Sequence, residues 1–299
     1  MDSRSEKPDG TTVLCFQRLG RATRMPLGKS PLTSRRNPIV ARYRDVAHGD
    51  ADGLLLLDGP HLVADALAAN VKIEHAVAAS AASDNAEIGP LLAQLSAHGI
   101  DTALASSTVM AGVSPLRSPS AIVAIARRPE ANIGRAYAGL SPLLLIVSDV
   151  QDPGNMGAIV RVAEAGGATG VLAAGVSADP YGWKALRGSM GSALRLPVAR
   201  VEDAERAVAE ARSRGCTVIA TGPRGGRSVF DVDLRSPAAV LIGGEGQGLP
   251  HALMASADEC ITIPMQAPVE SLNAAVTAAI IVYEARRQRT INLQVTANK

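Results

Sequence analysis

Two polar side chains, Asn155 and Arg161, stand out in the segment DVQDPGNMGAIVR at residues 149–161. The continuously apolar run before it, at 143–147, is typical of a parallel strand buried on both faces. An Asp-Pro-Gly turn follows, and we expect a helix to begin near Asn155. Open α/β sheets bind ligands where such strands end. The pattern therefore predicts a carboxamide and a guanidinium at the mouth of a ligand site.

Each of these side chains also has an ordinary structural interpretation. Asn155 follows a turn and belongs to the residue types favoured as helix N-caps. Arg161 can be a helix arginine that caps or bridges at the surface. A cap can also contact a ligand, so the two interpretations of Asn155 are compatible.

Two further segments share features with the first. Residues 241–249 read LIGGEGQGL, and residues 263–276 contain IPM followed by SLNAAV. In the order 149–161, 241–249 and 263–276, these segments resemble the three motifs of the SpoU/TrmH family of RNA 2′-O-ribose methyltransferases. The first shows the family spacing D-x-x-D-P-x-N-x-G-x-x-x-R. Each segment lies at the end of a predicted strand, and the resemblance covers roughly residues 142–290.

The resemblance implies a SPOUT fold, an α/β fold whose parallel sheet has helices on both faces and whose chain forms a deep trefoil knot that holds S-adenosylmethionine. A flexible turn is the alternative interpretation of the glycine-rich loop at 243–248. The residues implied as catalytic are Arg161, Asn155, Glu245, Ser271 and Asn273, and those implied for cofactor binding are Thr221, Gly222, Gly243, Ile263 and Leu272.

The implied reaction transfers a methyl group to a ribose 2′-hydroxyl. That hydroxyl is a poor nucleophile at neutral pH, so the enzyme must align it and help to remove its proton. Arginine side chains give up a proton only above about pH 12. We therefore interpret Arg161 as a bidentate ligand of the adjacent RNA phosphate, and the proton acceptor stays open.

Composition and patterning divide the chain into four parts. The segments SRRNPIV at 34–40 and LDGPHLV at 57–63 resemble the RNA-binding domain that precedes the catalytic domain in ribosomal-RNA members of the family. Strands alternate with helices on both sides of a connection in which Pro129 and Gly134 discourage continuous structure. The predicted parts are a flexible basic tail at 1–33, a small α/β RNA substrate-binding domain at 34–130, a linker at 131–141 and the SPOUT catalytic domain at 142–299.

The same patterns predict individual elements. In the first domain we expect strands at 54–57, 75–79, 102–105 and 121–126 and helices at 38–47, 61–69 and 90–98. In the second we expect strands at 143–148, 170–174, 216–221, 238–243 and 260–263, and a final helix at 272–289.

The final helix is expected to begin after Ser271, a suitable N-cap residue. It is apolar around much of its circumference, so we expect burial on more than one side. The family resemblance implies a homodimer through this region, which supplies a second burial partner. A helix in the core of a monomer is the alternative.

Four basic residues are predicted to contact RNA: Arg36, Arg42, Lys184 and Arg187. Solvated surface charge is the alternative for Lys184 and Arg187, and a solvated, disordered leader is the alternative for the run that holds Arg36 and Arg42. The net charge of the chain is only +2, although seven arginines and one lysine follow one another between residues 18 and 44. Aromatic residues make up 2% of the chain, which disfavours an RNA surface built from stacking rings.

Several classes of protein are disfavoured by composition. The 3 cysteines are widely spaced and odd in number, so they form neither a disulfide framework nor a zinc spacing. The 5 histidines show no metal-binding pattern, and we predict no metal. Neither a membrane span nor a signal-peptide core is visible, which indicates a cytoplasmic protein.

These observations and the resemblance predict an S-adenosylmethionine-dependent RNA 2′-O-ribose methyltransferase that acts as a homodimer. Ribosomal RNA is the first expected substrate and transfer RNA the second, because the motifs define the chemistry without choosing the RNA. A non-catalytic RNA-binding paralogue and a base methyltransferase on a related knotted fold are the alternatives.

Overall fold

A computed structural model describes residues 30–83, 85–130 and 132–297, with side chains described as far as residue 290. The predicted basic tail at 1–33 therefore lies mostly outside the described residues. Leu32 belongs to that predicted tail, but its amide donates to the carbonyl of Leu104 at 2.8 Å and its carbonyl accepts from Ser106 at 2.9 Å. The chain thus already runs beside a sheet before residue 34.

The N-terminal sheet has four strands in the order β1-β4-β2-β3. Its β2–β3 pair is parallel and its other pairs are antiparallel. The strands are β1 (Leu54–Asp58), β2 (Ile73–Ala79), β3 (Asp101–Ala105) and β4 (Ile122–Arg127). The helices are α1 (Pro38–His48), α2 (Pro60–Ala68), α3 (Ile88–Ala97) and α4 (Ser107–Val113). All predicted elements of this part are confirmed to within two residues, whereas α4 was not predicted.

The C-terminal sheet has seven strands in the order β7-β6-β5-β10-β8-β11-β9, and all its pairs are parallel. The strands are β5 (Leu143–Ser148), β6 (Gly170–Ala174), β7 (Val198–Val201), β8 (Thr217–Thr221), β9 (Arg227–Ser228), β10 (Ala238–Gly243) and β11 (Glu259–Thr262). The five strands predicted for this domain are confirmed to within a residue. The short strands β7 and β9 are not among the five predicted strands.

Both faces of this sheet are covered. Leu144 and Ile146 on one face pack in a cluster with Ala207 and Ala211 of α9. Leu145 on the opposite face is also fully buried. The helices are α5 (Ile133–Ala136), α6 (Pro153–Gly166), α7 (Trp183–Ser189), α8 (Ser192–Arg195), α9 (Ala204–Ser213), α10 (His251–Ser256) and α11 (Ala274–Ala297).

The last helix, α11, begins two residues later than predicted. Near its end the Arg289 guanidinium donates to the carbonyls of Ser141 at 2.7 Å, Leu234 at 2.8 Å and Ser236 at 3.0 Å. These bonds hold α11 against the segments that precede β5 and β10. The trefoil knot itself stays a prediction.

The predicted linker at 131–141 contains the short helix α5, whose Ala136 is buried against the C-terminal sheet. The domain boundaries proposed from the sequence stay predictions. None of the helices in the described ranges is both long and apolar enough to cross a lipid bilayer.

Candidate active site

The three motif segments meet at the carboxyl end of the C-terminal sheet. β5 and β10 are neighbours, with Ser148 opposite Gly243, and the first two motif loops leave from these ends. Gly244 lies so close to the first loop that a Cβ atom on it would lie 2.1 Å from the Asp149 carbonyl oxygen. A residue with a side chain does not fit there, so the glycine-rich composition of the second motif allows the two loops to touch.

The first loop has a strained residue at its centre. Asp149 has φ 61°, a left-handed conformation that is uncommon outside glycine. Its carboxylate accepts from the amide of Val176 at 3.0 Å and from the Ser148 hydroxyl at 2.9 Å. Such strain persists only where neighbouring contacts enforce it, and it is concentrated at functional sites.

Helix α6 begins earlier than the sequence analysis expected. Its N-cap is Asp152, whose side chain accepts from the backbone N–H of Asn155 at 2.8 Å. Pro153 occupies the first turn. The expected start near Asn155 is therefore confirmed to within two residues, whereas the interpretation of Asn155 as the cap was wrong. Because Asp152 has taken the capping role, the Asn155 side chain is left for other contacts.

Asn155 connects the three motifs. Its amide nitrogen donates to Glu245 of the second motif. Its amide oxygen accepts from the Asn273 side chain of the third motif at 3.0 Å. The structure therefore brings together three of the five residues predicted as catalytic.

The start of α11 also differs from the expectation. The Asn273 side-chain oxygen accepts from the amides of Ala275 at 2.9 Å and Val276 at 3.3 Å, which is the pattern of an N-cap. The prediction that Ser271 caps this helix was wrong. Asn273 thus has two roles. Its side-chain oxygen caps the first backbone N–H groups of α11, and its side-chain nitrogen donates to the Asn155 side chain.

Arg161 lies apart from this cluster. It follows Asn155 by six residues, which places it about 9 Å further along α6 and about 240° around the helix axis. The side chain is exposed and has no hydrogen bond or ion pair with any described residue. Its guanidinium is therefore available for an anion from outside the described chain.

A cavity of about 560 Å³ lies beside the cluster, a volume within the usual range for small-molecule sites. All five residues predicted to bind the cofactor line it, as do Glu245, Ser271 and Asn273. The remaining wall of the cavity is largely apolar and was not predicted, because apolar side chains carry no chemical signature in the sequence. Its residues include Ile242, Leu249, Met254, Ile261, Met265 and Ile281.

The lining residues fit S-adenosylmethionine. A Cβ atom on Gly243 would lie 2.6 Å from the backbone of Gly248, so this part of the wall must be bare main chain. Glu245 is the one charged side chain among the described lining residues. A negatively charged, partly apolar cavity suits a sulfonium cation with an adenine ring better than a phosphate-bearing nucleotide.

The four predicted RNA contacts have different surroundings. Arg36 is exposed and its side chain has no described partner. Arg42 pairs with Glu74, and the Arg187 guanidinium lies 3.3 Å from the Asp58 carboxylate. Lys184 is exposed, with its ammonium 5.6 Å from the centre of the Trp183 ring. In the described part of the chain, no group of three or more His, Cys, Asp or Glu side chains is placed to hold a metal ion.

Comparisons with known proteins agree with this geometry. The model of the SpoU rRNA Methylase family matches residues 142–283. An uncharacterized tRNA/rRNA methyltransferase of Synechocystis is 32% identical over 86% of this chain and 94% of that protein. A 23S rRNA (guanosine(2553)-2′-O)-methyltransferase of Bacillus subtilis is 31% identical over 77% of this chain and 88% of that protein.

Solved structures show the same architecture. An AdoMet-bound rRNA methyltransferase from Sinorhizobium meliloti superimposes with a TM-score of 0.77 at 29% sequence identity, over 86% of this chain and 97% of that one. The predicted fold class, an α/β fold with a parallel sheet and helices, is confirmed. Since the Synechocystis protein is matched over nearly its whole length, and the family model over the residues that build the site, the chain belongs to the SpoU rRNA methylase family.

Proposed function

We propose that this chain uses S-adenosylmethionine to methylate ribose 2′-hydroxyl groups of RNA, with ribosomal RNA as its substrate. The observation that carries the proposal is the contact of Asn155 with both Glu245 and Asn273, which joins three motif loops beside a glycine-lined cavity. The relatives support it, since the Bacillus protein is named for 2′-O-methylation of 23S rRNA and the Sinorhizobium protein binds AdoMet.

S-Adenosylmethionine supplies an electrophilic methyl group when bound. Thr221, Gly222, Gly243, Ile263 and Leu272 would hold the cofactor, because all five line the cavity. Their contribution is largely main-chain groups and apolar surface. Such a wall positions the cofactor and excludes water without competing as a nucleophile.

The residues of the chain itself position the RNA. Arg161 binds the phosphate beside the target nucleotide, where a planar guanidinium can make two parallel hydrogen bonds. Asn155 is fixed at both ends of its amide, so it presents a rigid polar surface at the start of α6. The exposed Ser271 hydroxyl completes the polar set at the cavity. Alignment of the hydroxyl by these groups supplies the rate enhancement expected of a positioned reaction.

Residues 34–130 form the proposed RNA substrate-binding domain. Arg36 at its start is exposed and without a described partner, and Lys184 adds an exposed charge from α7. Arg42 and Arg187 contribute less to RNA binding in this proposal, because each already pairs with a carboxylate. Transfer RNA is the second candidate substrate.

The proposed assembly is a homodimer formed through α11. Val276 and Tyr283 are 46% and 51% exposed, and Ile280 lies between them at helical spacing. Together they form an apolar stripe on the solvent side of α11, whose opposite side carries the buried Ala278, Ile281, Val282 and Ala285. Sedimentation of the full chain should give the mass of a dimer, and Tyr283→Glu should shift it toward the monomer while a Phe230→Glu control does not.

The proposed location is the cytoplasm. The described cysteines Cys216 and Cys260 are free thiols, and burial raises the pKa of the Cys216 thiol. A raised pKa leaves a thiol mostly protonated and unreactive. Unpaired thiols of this kind are typical of reducing compartments.

The test is transfer of labelled methyl groups from S-adenosylmethionine to separate pools of ribosomal and transfer RNA. Mass spectrometry of the nucleosides then locates the methyl group. The proposal expects 2′-O-methylated ribose in ribosomal RNA, and its loss in Arg161→Ala. Label on a base, or label that persists in Arg161→Ala, would contradict the proposed reaction or the role of Arg161, respectively.

A further inference from the structure

A buried carboxylate outside the candidate site connects the N-terminal sheet with helix α7. Asp58, the last residue of β1, is 5% exposed. Its carboxylate accepts from the hydroxyls of Ser114 at 2.9 Å and Ser120 at 3.1 Å, and from the Arg187 guanidinium at 3.3 Å. The two serines belong to the N-terminal part of the chain, whereas Arg187 lies on α7.

The serine contacts fix a loop at both ends. Ser114 and Ser120 bound the loop 114–120, and the Ser114 hydroxyl also accepts from the amides of Leu116 and Ser120, each at 3.4 Å. Between them lies Arg117, which is exposed and has no partner among the described residues. The loop therefore presents a free guanidinium from a fixed base.

The arginine contact leads to the catalytic helix. Arg187 lies on α7, which packs against α6 through two glycines, Gly157 and Gly188. A Cβ atom on Gly157 would lie 2.4 Å from the carbonyl oxygen of Ala185 and 2.9 Å from the Gly188 Cα. This contact is main chain against main chain, so α7 cannot shift without moving α6, the helix that carries Asn155 and Arg161.

Other pairs join the same two parts, but their carboxylates are more exposed than Asp58, although the Arg187 side chain is itself 52% exposed. The Arg195 guanidinium lies 3.2 Å from the Asp65 carboxylate, and Arg128 pairs with Asp179. In both pairs each side chain is 32–40% exposed, whereas the Asp58 side chain is 1% exposed. A buried carboxylate is unfavourable unless several donors converge on it.

Burial of the Asp58 carboxylate carries a desolvation penalty. Burial raises the pKa of Asp58, even though its hydrogen bonds and the charge of Arg187 act in the opposite direction. The charged form is therefore kept against a desolvation penalty. Its three donors come from two separate segments, loop 114–120 and α7, so the carboxylate fixes these segments relative to each other.

We propose that Asp58 is a positioning residue for RNA, because it connects loop 114–120 with Arg187 and so fixes the orientation of the N-terminal sheet relative to the α6–α7 pair. Arg117 is the phosphate ligand that this loop presents. The inference rests on the proposed function, since it assigns these residues to the binding of the same RNA substrate. It goes beyond the motif residues, none of which lies in the N-terminal sheet.

The test compares Asp58→Asn, Arg187→Gln and Arg117→Ala with wild type. Each should raise the KM for RNA roughly three- to tenfold, the range of one charge-assisted contact, and leave kcat and the Kd for S-adenosylmethionine unchanged. Asp58→Asn keeps the size of the side chain, and its unfolding temperature should equal or exceed that of wild type. The double variant Asp58→Asn/Arg187→Gln should be no worse than either single one.

Asp233→Asn is the matched control, since Asp233 pairs with Arg235 in an exposed ion pair far along the chain from these elements. It should leave the KM for RNA unchanged. An unchanged KM in Asp58→Asn and Arg187→Gln would overturn the proposal. So would a loss of kcat that follows a lowered unfolding temperature, because that is what a merely structural residue would show.

A second readout separates this inference from the proposed function. If the wild-type chain methylates no RNA, the proposed function fails, and amide hydrogen exchange then decides the positioning claim alone. Exchange in loop 114–120 should be faster in Arg187→Gln than in wild type, without any RNA present. Identical exchange in the two proteins would overturn the claim that Arg187 holds the loop through Asp58.

Discussion

Arg161 and Arg187 lie on two helices that pack against each other, and they have opposite surroundings. Arg161 on α6 is exposed and has no partner in the described part of the chain. Arg187 on α7 pairs with the buried Asp58. Whether an arginine is available for substrate therefore depends on the carboxylates that the fold brings near it, and not on its own local sequence.

Substitution of Arg161 and substitution of Arg187 are therefore expected to change different properties of the protein. Loss of a free cation that contacts substrate affects the reaction and leaves stability unchanged. Loss of a cation that holds the protein together affects how substrate is presented.

Arg161→Ala should lower kcat by a factor of about 10², the cost of misplacing a reacting group, because Arg161 holds the phosphate that aligns the ribose hydroxyl. Its unfolding temperature should match that of wild type, because an exposed side chain without partners contributes little to stability. Arg161→Lys is the control that keeps the charge but loses the planar fork, and it should recover only part of the rate. Steady-state kinetics measure kcat for both variants, and thermal unfolding measures their stability.

Gly157→Ala should disrupt the contact that joins the two helices. Its Cβ would lie 2.4 Å from the Ala185 carbonyl oxygen, so the helices must separate or the backbone must shift. Overpacking of this kind lowers the free energy of unfolding by about 1–3 kcal/mol. Ala165→Ser, on an exposed position of the same helix, is the control for chemical denaturation, and equal stability of the two variants would contradict the tight contact.

Asn273→Ala should lower the free energy of unfolding by about 1 kcal/mol, because it removes the N-cap of α11. It should also lower kcat, since Asn155 loses one of its two fixed partners. Ser271→Ala is the matched control and should unfold like wild type. If Ser271→Ala destabilised the protein more than Asn273→Ala, the assignment of the cap would be wrong.

Asp58→Asn should change the pH dependence of stability, with a smaller effect than the others. A raised pKa means that the folded protein holds the Asp58 proton more tightly than the unfolded chain does. Asp58 therefore favours folding more as the pH falls toward the ordinary aspartate pKa of 3.8, and less as the pH rises. The variant should be more stable relative to wild type near pH 7.5 than near pH 4.5. A difference in unfolding temperature that does not vary with pH would contradict the raised pKa.

The pKa of Glu164 is shifted in the opposite direction to that of Asp58, and Glu164 is left unchanged in both proteins of this comparison. Burial alone would raise the pKa of Glu164, but hydrogen bonds from Arg195 and Ser192 outweigh it and the pKa is lowered. Its contribution to stability is present at neutral pH and is lost as the pH falls through the lowered value. Both proteins share this loss, so it cancels in the difference between them.

The elements of the fold could be predicted because their signals are local. Strands β5, β6 and β10 are continuous apolar runs, and buried parallel strands require such runs. Helix α4 has a weaker signal, since its 7 residues make only about two turns. The edge strand β9 has two residues and pairs only because β11 is beside it.

The start of α6 could have been placed correctly from the sequence. Both Asp152 and Asn155 are good N-cap residues, but Pro153 is favoured in the first turn of a helix, which selects Asp152. The consequence matters for the site. Once Asp152 caps the helix, the Asn155 side chain is left for Glu245 and Asn273.

The pairing of Arg187 could not have been predicted from its neighbours. Its partner Asp58 is 129 residues away in the sequence, and neither position carries a local sign of the contact. The same holds for the apolar wall of the cavity, where Met254 and Ile281 come from different helices. Long-range contacts of this kind are decided by the packing of whole elements.

The most direct test of the contrast between the two arginines measures Arg161→Ala and Arg187→Gln side by side on the same ribosomal RNA, with kcat, KM for RNA and unfolding temperature determined for each. The account predicts a loss of kcat in Arg161→Ala and a raised KM with wild-type kcat in Arg187→Gln. Wild-type kcat in Arg161→Ala would contradict the assignment of that free guanidinium to the reaction.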